Sequence, residues 1–222
     1  MLYVGVFYLV FDQLLGTRQP DFLVFLAVGK LTFIWFSKSV NQASMSLVNS
    51  KGLIAQVNLP KHLFPLSVVQ EGVYRQAAVF GFLLLFLLLA GYSPQLEWLW
   101  FLPLIVLQYL LITSCALLGA LLVCWRRDFQ MLIQLGTVFL LFMSGVFWDV
   151  QSIQNAELVQ WLSILNPLLV LLSAYREVLM SGQVPNLASL SWVVVESAVL
   201  LAGALWLYAR LNYWLAQRAI TQ

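Results

Sequence analysis

The feature that most constrains this chain is a run of long apolar stretches following one another with only short polar turns between them, at 22–48, 66–90, 98–125, 131–148 and 190–211. Crossing a bilayer takes about 20 such residues as a helix. No water reaches the hydrocarbon to pair free N–H and C=O groups, so only helices and closed barrels can span it. The runs show almost none of the apolar-polar alternation of a barrel strand. Of 222 residues 62% are hydrophobic and 9% are charged, against about a quarter charged in a soluble domain. The expected fold is an all-α integral membrane protein, a single domain over 1–222.

A sixth run, 1–15, is interrupted only by Asp12 and Gln13. As a helix it reaches about 22 Å, less than a hydrocarbon core of about 30 Å. The reading is therefore a six-span helical bundle whose first span begins upstream of Met1. No cleavable leader is evident, because Met1 opens into apolar sequence without a basic region. The net charge of +2 comes from scattered basic residues, which gives no footprint for nucleic acid. Cys115 and Cys124 share one apolar run, too far apart on a helix to bridge, and read as packing residues.

Orientation follows from the rule that Lys and Arg of short loops stay in the cytoplasm. Lys51, Lys61, Arg126, Arg127, Arg210 and Arg218 inside leave Arg18 and Arg176 outside, six against two. Asp21, Glu97, Asp149, Glu157 and Glu177 then fall outside. Trp98, Trp100, Trp125, Trp148, Trp192 and Trp214 mark segment ends, where amphipathic rings prefer the interface.

Two connections are not simple turns. The inside stretch 49–65, NSKGLIAQVNLPKHLFP, is bounded by Gly52 and Pro60 around a short helix on which Leu53, Ile54 and Val57 share a side. It either presents an apolar knob to a partner, with Lys51, Lys61 and His62 around it, or lies on the headgroups. The outside stretch 149–189 holds an amphipathic segment, a break at Asn166-Pro167, and thirteen mostly apolar residues, 168–180, too short to cross. Two short re-entrant outer helices before the last span are one reading; a single kinked span is the other. Glu71 and Arg75, four apart on a helix, form an ion pair, while Lys30 and Glu196 are charges in apolar surroundings without an assigned role.

Four passages, in order, resemble the membrane subunit of type-2 ABC exporters, the polysaccharide-export permeases for O-antigen, capsule or teichoic-acid chains. They are FLAVGKLTFIWFSKSVNQASMSLVNSKGLIAQVNLPKHLFPLSVV, WRRDF, LFMSGVFW and WLSILNPLLVLLSAYREVLMSG. The resemblance implies that 49–65 is a cytoplasmic coupling helix seated on a separate ATPase, with contacts from Lys51, Leu53, Ile54, Val57, Lys61 and His62. It also implies that 149–189 forms the re-entrant pair near the exit, and that Arg126-Arg127-Asp128 is the family's cytoplasmic turn. Members of the family begin with an amphipathic helix and a complete first span, from which this chain departs.

No GxxxxGK[ST] loop occurs, so ATP and Mg belong to the partner and this chain is no enzyme. It is expected to bind no cofactor and no metal. The expected assembly is two copies of this chain with two ABC ATPase subunits in the bacterial cytoplasmic (inner) membrane, moving a lipid-linked polysaccharide outward. A sliding sugar polymer calls for aromatic faces beside hydroxyls and amides. Phe33, Trp35, Phe36, Ser37, Asn41, Gln42, Phe147, Trp148, Tyr175 and Arg176 are the candidate lining. A permease for a drug or lipid, and a passive channel or assembly subunit, are alternatives. An intramembrane enzyme fits poorly with His62 as the one histidine and no HExxH or DxxD pattern.

Overall fold

Helix α1 (Phe22–Ser44) is one of two largely buried helices at the centre of the bundle. The computed structural model describes residues 21–57, 59–150, 153 and 155–221, without the side chains at 156, 158, 212–214 and 216–221. The expected span 1–15, Arg18, and the side chains of Trp214 and Arg218 fall outside it. After α1 come α2 (Ser46–Asn49), α3 (Lys51–Gln56), α4 (Leu63–Leu89) and α5 (Phe101–Trp125), the last preceded by a 3-10 turn at Leu96–Trp100. Next are α6 (Phe129–Met143), α7 (Ala156–Leu165), α8 (Pro167–Arg176) with a π-helical turn at Glu177–Ser181, and α9 (Leu187–Thr221). Among the described residues there is no strand.

Among the described residues four helices are long and apolar enough to cross a membrane, α1, α4, α5 with its 3-10 lead-in, and α9 as far as Leu211, or five if the bent pair α7 and α8 is one span. At 23 residues α1 is about 34 Å long, matching a hydrocarbon core of about 30 Å. Within their central windows 61% of residues are buried in the α1 and α5 spans, against 28% in α4 and 22% in α9. The first two are therefore the core, and the other two turn most of their surface to lipid or a partner.

Several boundaries differ from the sequence expectation. The expected run 22–48 stops at Ser44, because the Ser44 hydroxyl donates to the Asn41 carbonyl at 2.8 Å and the Met45 N–H turns to Gln42. A side chain that takes up a helix carbonyl competes with the backbone ladder. Helix α4 begins three residues early, since Pro65 stands in a first turn that needs no N–H. The run 131–148 stops at Met143, where Gly145 takes φ +68° and Trp148 Nε1 folds back onto the Phe142 carbonyl at 2.8 Å. Helix α9 continues ten residues past the expected end at 211.

Polar groups join the core helices where their backbones lie close. Gln108 Nε2 donates to the Thr32 carbonyl at 2.9 Å, Ser114 Oγ to Ser197 at 2.9 Å and Tyr208 OH to Leu117 at 3.2 Å. Such bonds are worth about 0.6 kcal/mol on average between membrane helices. At one end of the bundle, burial and then a hydrogen bond to Asp21 and the charge of that carboxylate push the Tyr92 hydroxyl up to about 12. Tyr92 thus stays protonated near neutral pH and ties the α4–α5 turn to the start of α1.

At the centre, Phe80 of α4 meets Trp35 at 5.7 Å, Phe101 at 5.0 Å and Tyr175 at 6.3 Å between ring centroids. One ring so joins α1, α4, α5 and α8. Phe80→Ala is expected to cost about 3–5 kcal/mol. Thermal unfolding of the detergent-solubilised chain checks this, and an unchanged midpoint would refute the central role of that ring.

Candidate functional site at the two ends of α1

Beyond the C-terminal end of α1, the short helix α3 packs against α9. The three residues read as one knob divide in the structure. Ile54 is buried beside Leu47, Phe64, Leu117, Leu121 and Tyr208, whereas Leu53 is 49% and Val57 40% exposed. Ile54 is the anchor, and Leu53 beside it and Val57, the extended residue that ends the helix, are the presented surface. Lys51 is exposed. Lys61 is buried, contrary to its expected place on the contact surface. His62 is half-buried and sets its ring edge-on to Tyr208 of α9 at 6.2 Å, which makes it a brace for the loop.

The turn Arg126-Arg127-Asp128 is exposed at the same end, bridged by stacked Trp125 and Phe129 rings 5.7 Å apart. Nearby, Arg75 pairs with Glu71 at 3.5 Å and donates to Gln42 Oε1 at 2.6 Å. The expected ion pair is present and is solvent-exposed, and it also holds one of the lining candidates.

At the opposite end, the chain bends by 108° between α7 and α8. The corner is set by Pro167 at the first position of α8, where a missing N–H costs nothing. Asn166 beside it is buried and its Nδ2 donates to Ser144 Oγ at 3.0 Å, fixing the corner to the turn that follows α6.

Arg176, a lining candidate on the expected outer side, lies in the interior, 7% exposed. Its guanidinium donates to the carbonyls of Gly145 at 2.7 Å and Val146 at 3.1 Å and lies 3.4 Å from the centre of the Phe25 ring. It also sits against Gly29, where a Cβ would collide with the guanidinium. One side chain therefore clamps the hairpin to α1 and to the α6–α7 turn. A guanidinium suits this because its donors form a flat fork that can bond carbonyls while its face covers a ring. A sequence signal existed, an arginine in an apolar stretch with no acid one helical turn away, but its partners are carbonyls that no residue type announces.

The remaining lining candidates separate into two groups. Phe33, Trp35, Phe36 and Tyr175 are buried within this chain, so their rings offer no face to a passing molecule. That corrects the expectation of an aromatic lining, and the reason is packing: these rings fill the space around Phe80. Ser37 and Asn41 are half-exposed and Gln42 exposed. Together with Lys30, Ile34 and Lys38 they form the least buried stripe of α1. Asn41 Nδ2 donates to Thr137 Oγ1 of α6 at 3.0 Å, and Lys30 Nζ stands 5.6 Å from the Phe147 ring, which sits half-exposed with Trp148 beside it. Among the described residues no His, Cys, Asp and Glu group could hold a metal ion.

Bilayer-length helices carrying a short amphipathic helix at one end and a bent hairpin at the other define a multi-pass membrane subunit. The description of the ABC-2 type transporter family matches residues 1–180, and the chain belongs to that family. Similar proteins include two O-antigen export system permease proteins RfbA of Klebsiella pneumoniae, each 24% identical over 219 residues, 98% of this chain and 83% of theirs. An O-antigen export system permease protein RfbA of Myxococcus xanthus is 26% identical over 205 residues, 91% of this chain and 78% of its own. The family is that of bacterial inner-membrane permeases without an ATPase domain or a cofactor of their own, and it implies a partner ATPase subunit.

Arg176→Met is expected to leave Gly145 and Val146 without their donor, at about 1–3 kcal/mol for each carbonyl left unpaired. Gly29→Val is expected to act alike by displacing the guanidinium. Limited proteolysis in nanodiscs checks both, through faster cleavage between 149 and 186. Equal cleavage in the native chain and both variants would refute the clamp.

Proposed function

We propose that this chain is the permease half of an ATP-driven exporter that moves a lipid-linked polysaccharide outward across the cytoplasmic membrane. Two copies pair with each other and with two ATPase subunits. The observation that carries the reading is the α3 geometry: Ile54 is buried in the bundle while Leu53 beside it and Val57 at the end of the helix stand exposed. That is what a docking knob needs, an anchored base and an unpartnered apolar tip. Support for the polysaccharide comes from the likeness, over most of this chain, to permeases named for O-antigen export.

In this reading α3 faces the cytoplasm and the hairpin faces outward as a re-entrant pair, within a six-span bundle. Lys51, Arg126 and Arg127 lie at the α3 end, and Asp21, Glu97, Asp149 and Glu177 at the hairpin end, as the positive-inside rule requires. Arg176 on the acidic side does not count against this, because it is spent on internal carbonyls. Closure of the ATPase dimer pushes on Leu53 and Val57. Helix α1 closely precedes α3 in the chain and carries the motion to Gly29 and Phe25, against which Arg176 holds the hairpin.

The path runs between two copies along the stripe of Ser37, Lys38, Asn41 and Gln42 and the exposed face of α6. That face shows Met131, Leu135, Val138, Phe139 and Phe142 to its surroundings, an apolar area a second copy would cover. A permease for a drug or lipid is the second reading. It is favoured by the burial of Trp35 and Phe36, which removes the aromatic lining a sugar polymer would use.

Co-purification with the ATPase encoded alongside tests the docking. Leu53→Asp and Val57→Asp are each expected to weaken association by at least about thirtyfold, as for hot-spot residues, with unchanged thermal unfolding. Ile54→Asp is expected to lower the unfolding temperature as well. A cell lacking the chain is expected to regain surface polysaccharide with the native chain and not with Leu53→Asp. Association that survives both aspartate substitutions would refute the assignment of α3.

A further inference from the structure

At the α3 end of the bundle, α5 and α9 leave a groove of about 370 Å³, lined among the described residues by Leu121, Leu122, Trp125, Leu207 and Leu211. That volume falls within the range of about 300–1,000 Å³ common for ligand sites. The transport reading makes no use of it. Its side chains are carbon apart from the Trp125 indole nitrogen, so it takes an alkyl chain and would strand the hydroxyls of a sugar. Leu121, Leu207 and Leu211 also pack in the cluster that seats Ile54, and an occupant lies behind the anchor of α3.

The end of the groove is cationic. Arg126 follows Trp125 and Arg210 precedes Leu211, so each cation is one residue from the lining. Both arginines are exposed, and among the described residues neither has an acidic partner. Arg210 lies 4.9 Å from the centre of the Trp206 ring, a contact that involves no carboxylate. With Arg127 and Asp128 of the same turn, three arginines stand at this end with one aspartate.

An apolar slot alone accepts any hydrophobic segment, and the arginines narrow the choice. A partner helix would have to bring carboxylates to the same level. An acidic phospholipid brings a chain and an anion together, and Trp125 marks the level at which the headgroups begin. Guanidinium forks match phosphate oxygens, and basic pockets between membrane helices on the cytoplasmic side hold anionic headgroups. A zwitterionic headgroup carries its own ammonium, which the arginines repel.

We propose that this groove binds one acidic phospholipid of the cytoplasmic leaflet, with an acyl chain along Leu121, Leu122, Leu207 and Leu211 and the phosphate at Arg126 and Arg210. The choice of leaflet rests on the orientation in the transport reading. The groove and its arginines do not.

The test uses the complete exporter, and this chain alone, in phosphatidylcholine nanodiscs that contain a trace of phosphatidylglycerol with a photoactivatable diazirine on its acyl chain. Crosslinks are mapped by mass spectrometry while unlabelled lipid is added. They are expected within 121–125 and 207–211. Displacement is expected to need about thirtyfold more phosphatidylethanolamine than phosphatidylglycerol, about fivefold for each arginine. Arg126→Gln with Arg210→Gln is expected to erase that preference without changing thermal unfolding, and Leu207→Trp to fill the groove and remove the crosslinks within 121–125. Equal displacement by the two lipids would identify ordinary annular lipid and overturn the site. A preference that survives both glutamine substitutions would overturn it too. Crosslinks present in the chain alone and lost in the complete exporter would identify the groove as a protein contact and also overturn it. Selective crosslinking in a chain that binds no ATPase would uphold the site while the exporter reading falls.

Discussion

Burial of α1 is the constraint on which the rest of the structure depends. A helix enclosed by α4, α5 and α8 cannot shift alone; its neighbours must move with it or repack. Close-packed interiors transmit displacement because they have few voids to absorb it. The two parts of the chain with an outward task, α3 and the hairpin, sit at opposite ends of this helix. From Gly29 to Ser44 the separation is about 22 Å along the axis, so a push received at one end has a rigid route to the other.

Both ends are fastened in the same manner, by one buried side chain that leaves neighbouring groups free. Ile54 anchors α3 and Arg176 anchors the hairpin. The arginine is the costlier device, since a buried cation must be repaid with well-placed acceptors. Two carbonyls and an aromatic face supply them. The turn that presents those carbonyls depends on the left-handed conformation of Gly145. Removing the arginine therefore disturbs three segments together, which is why it reads as a link rather than as a surface charge.

Much of the architecture was legible in the sequence, because bilayer-length apolar runs leave the chain few alternatives. The break at Asn166-Pro167 announced the bend between α7 and α8, while Gly52, read as one bracket of the short helix, lies inside α3, which starts at Lys51. What the sequence did not disclose was direction around each helix. In a membrane both the core and the lipid-facing surface are apolar, so hydrophobic periodicity cannot separate Phe33, Trp35 and Phe36, which are buried, from Phe139 and Phe142, which are not. The same ambiguity concealed the split between Ile54 and its neighbours Leu53 and Val57. Backbone carbonyls, the partners of Arg176, have no sequence signature at all.

For the two ends to act together, motion received at α3 must reach the hairpin through α1. The most direct measurement is the labelling rate of Trp161→Cys, at an exposed position of α7, in nanodiscs that hold the complete exporter. Rates are compared without nucleotide and with the ATPase trapped closed by ATP and vanadate. A change between the two states is expected, and it disappears in Arg176→Met while ATP hydrolysis continues. A hairpin that responds equally in the Arg176→Met chain, or that never responds while the ATPase cycles, would contradict this coupling.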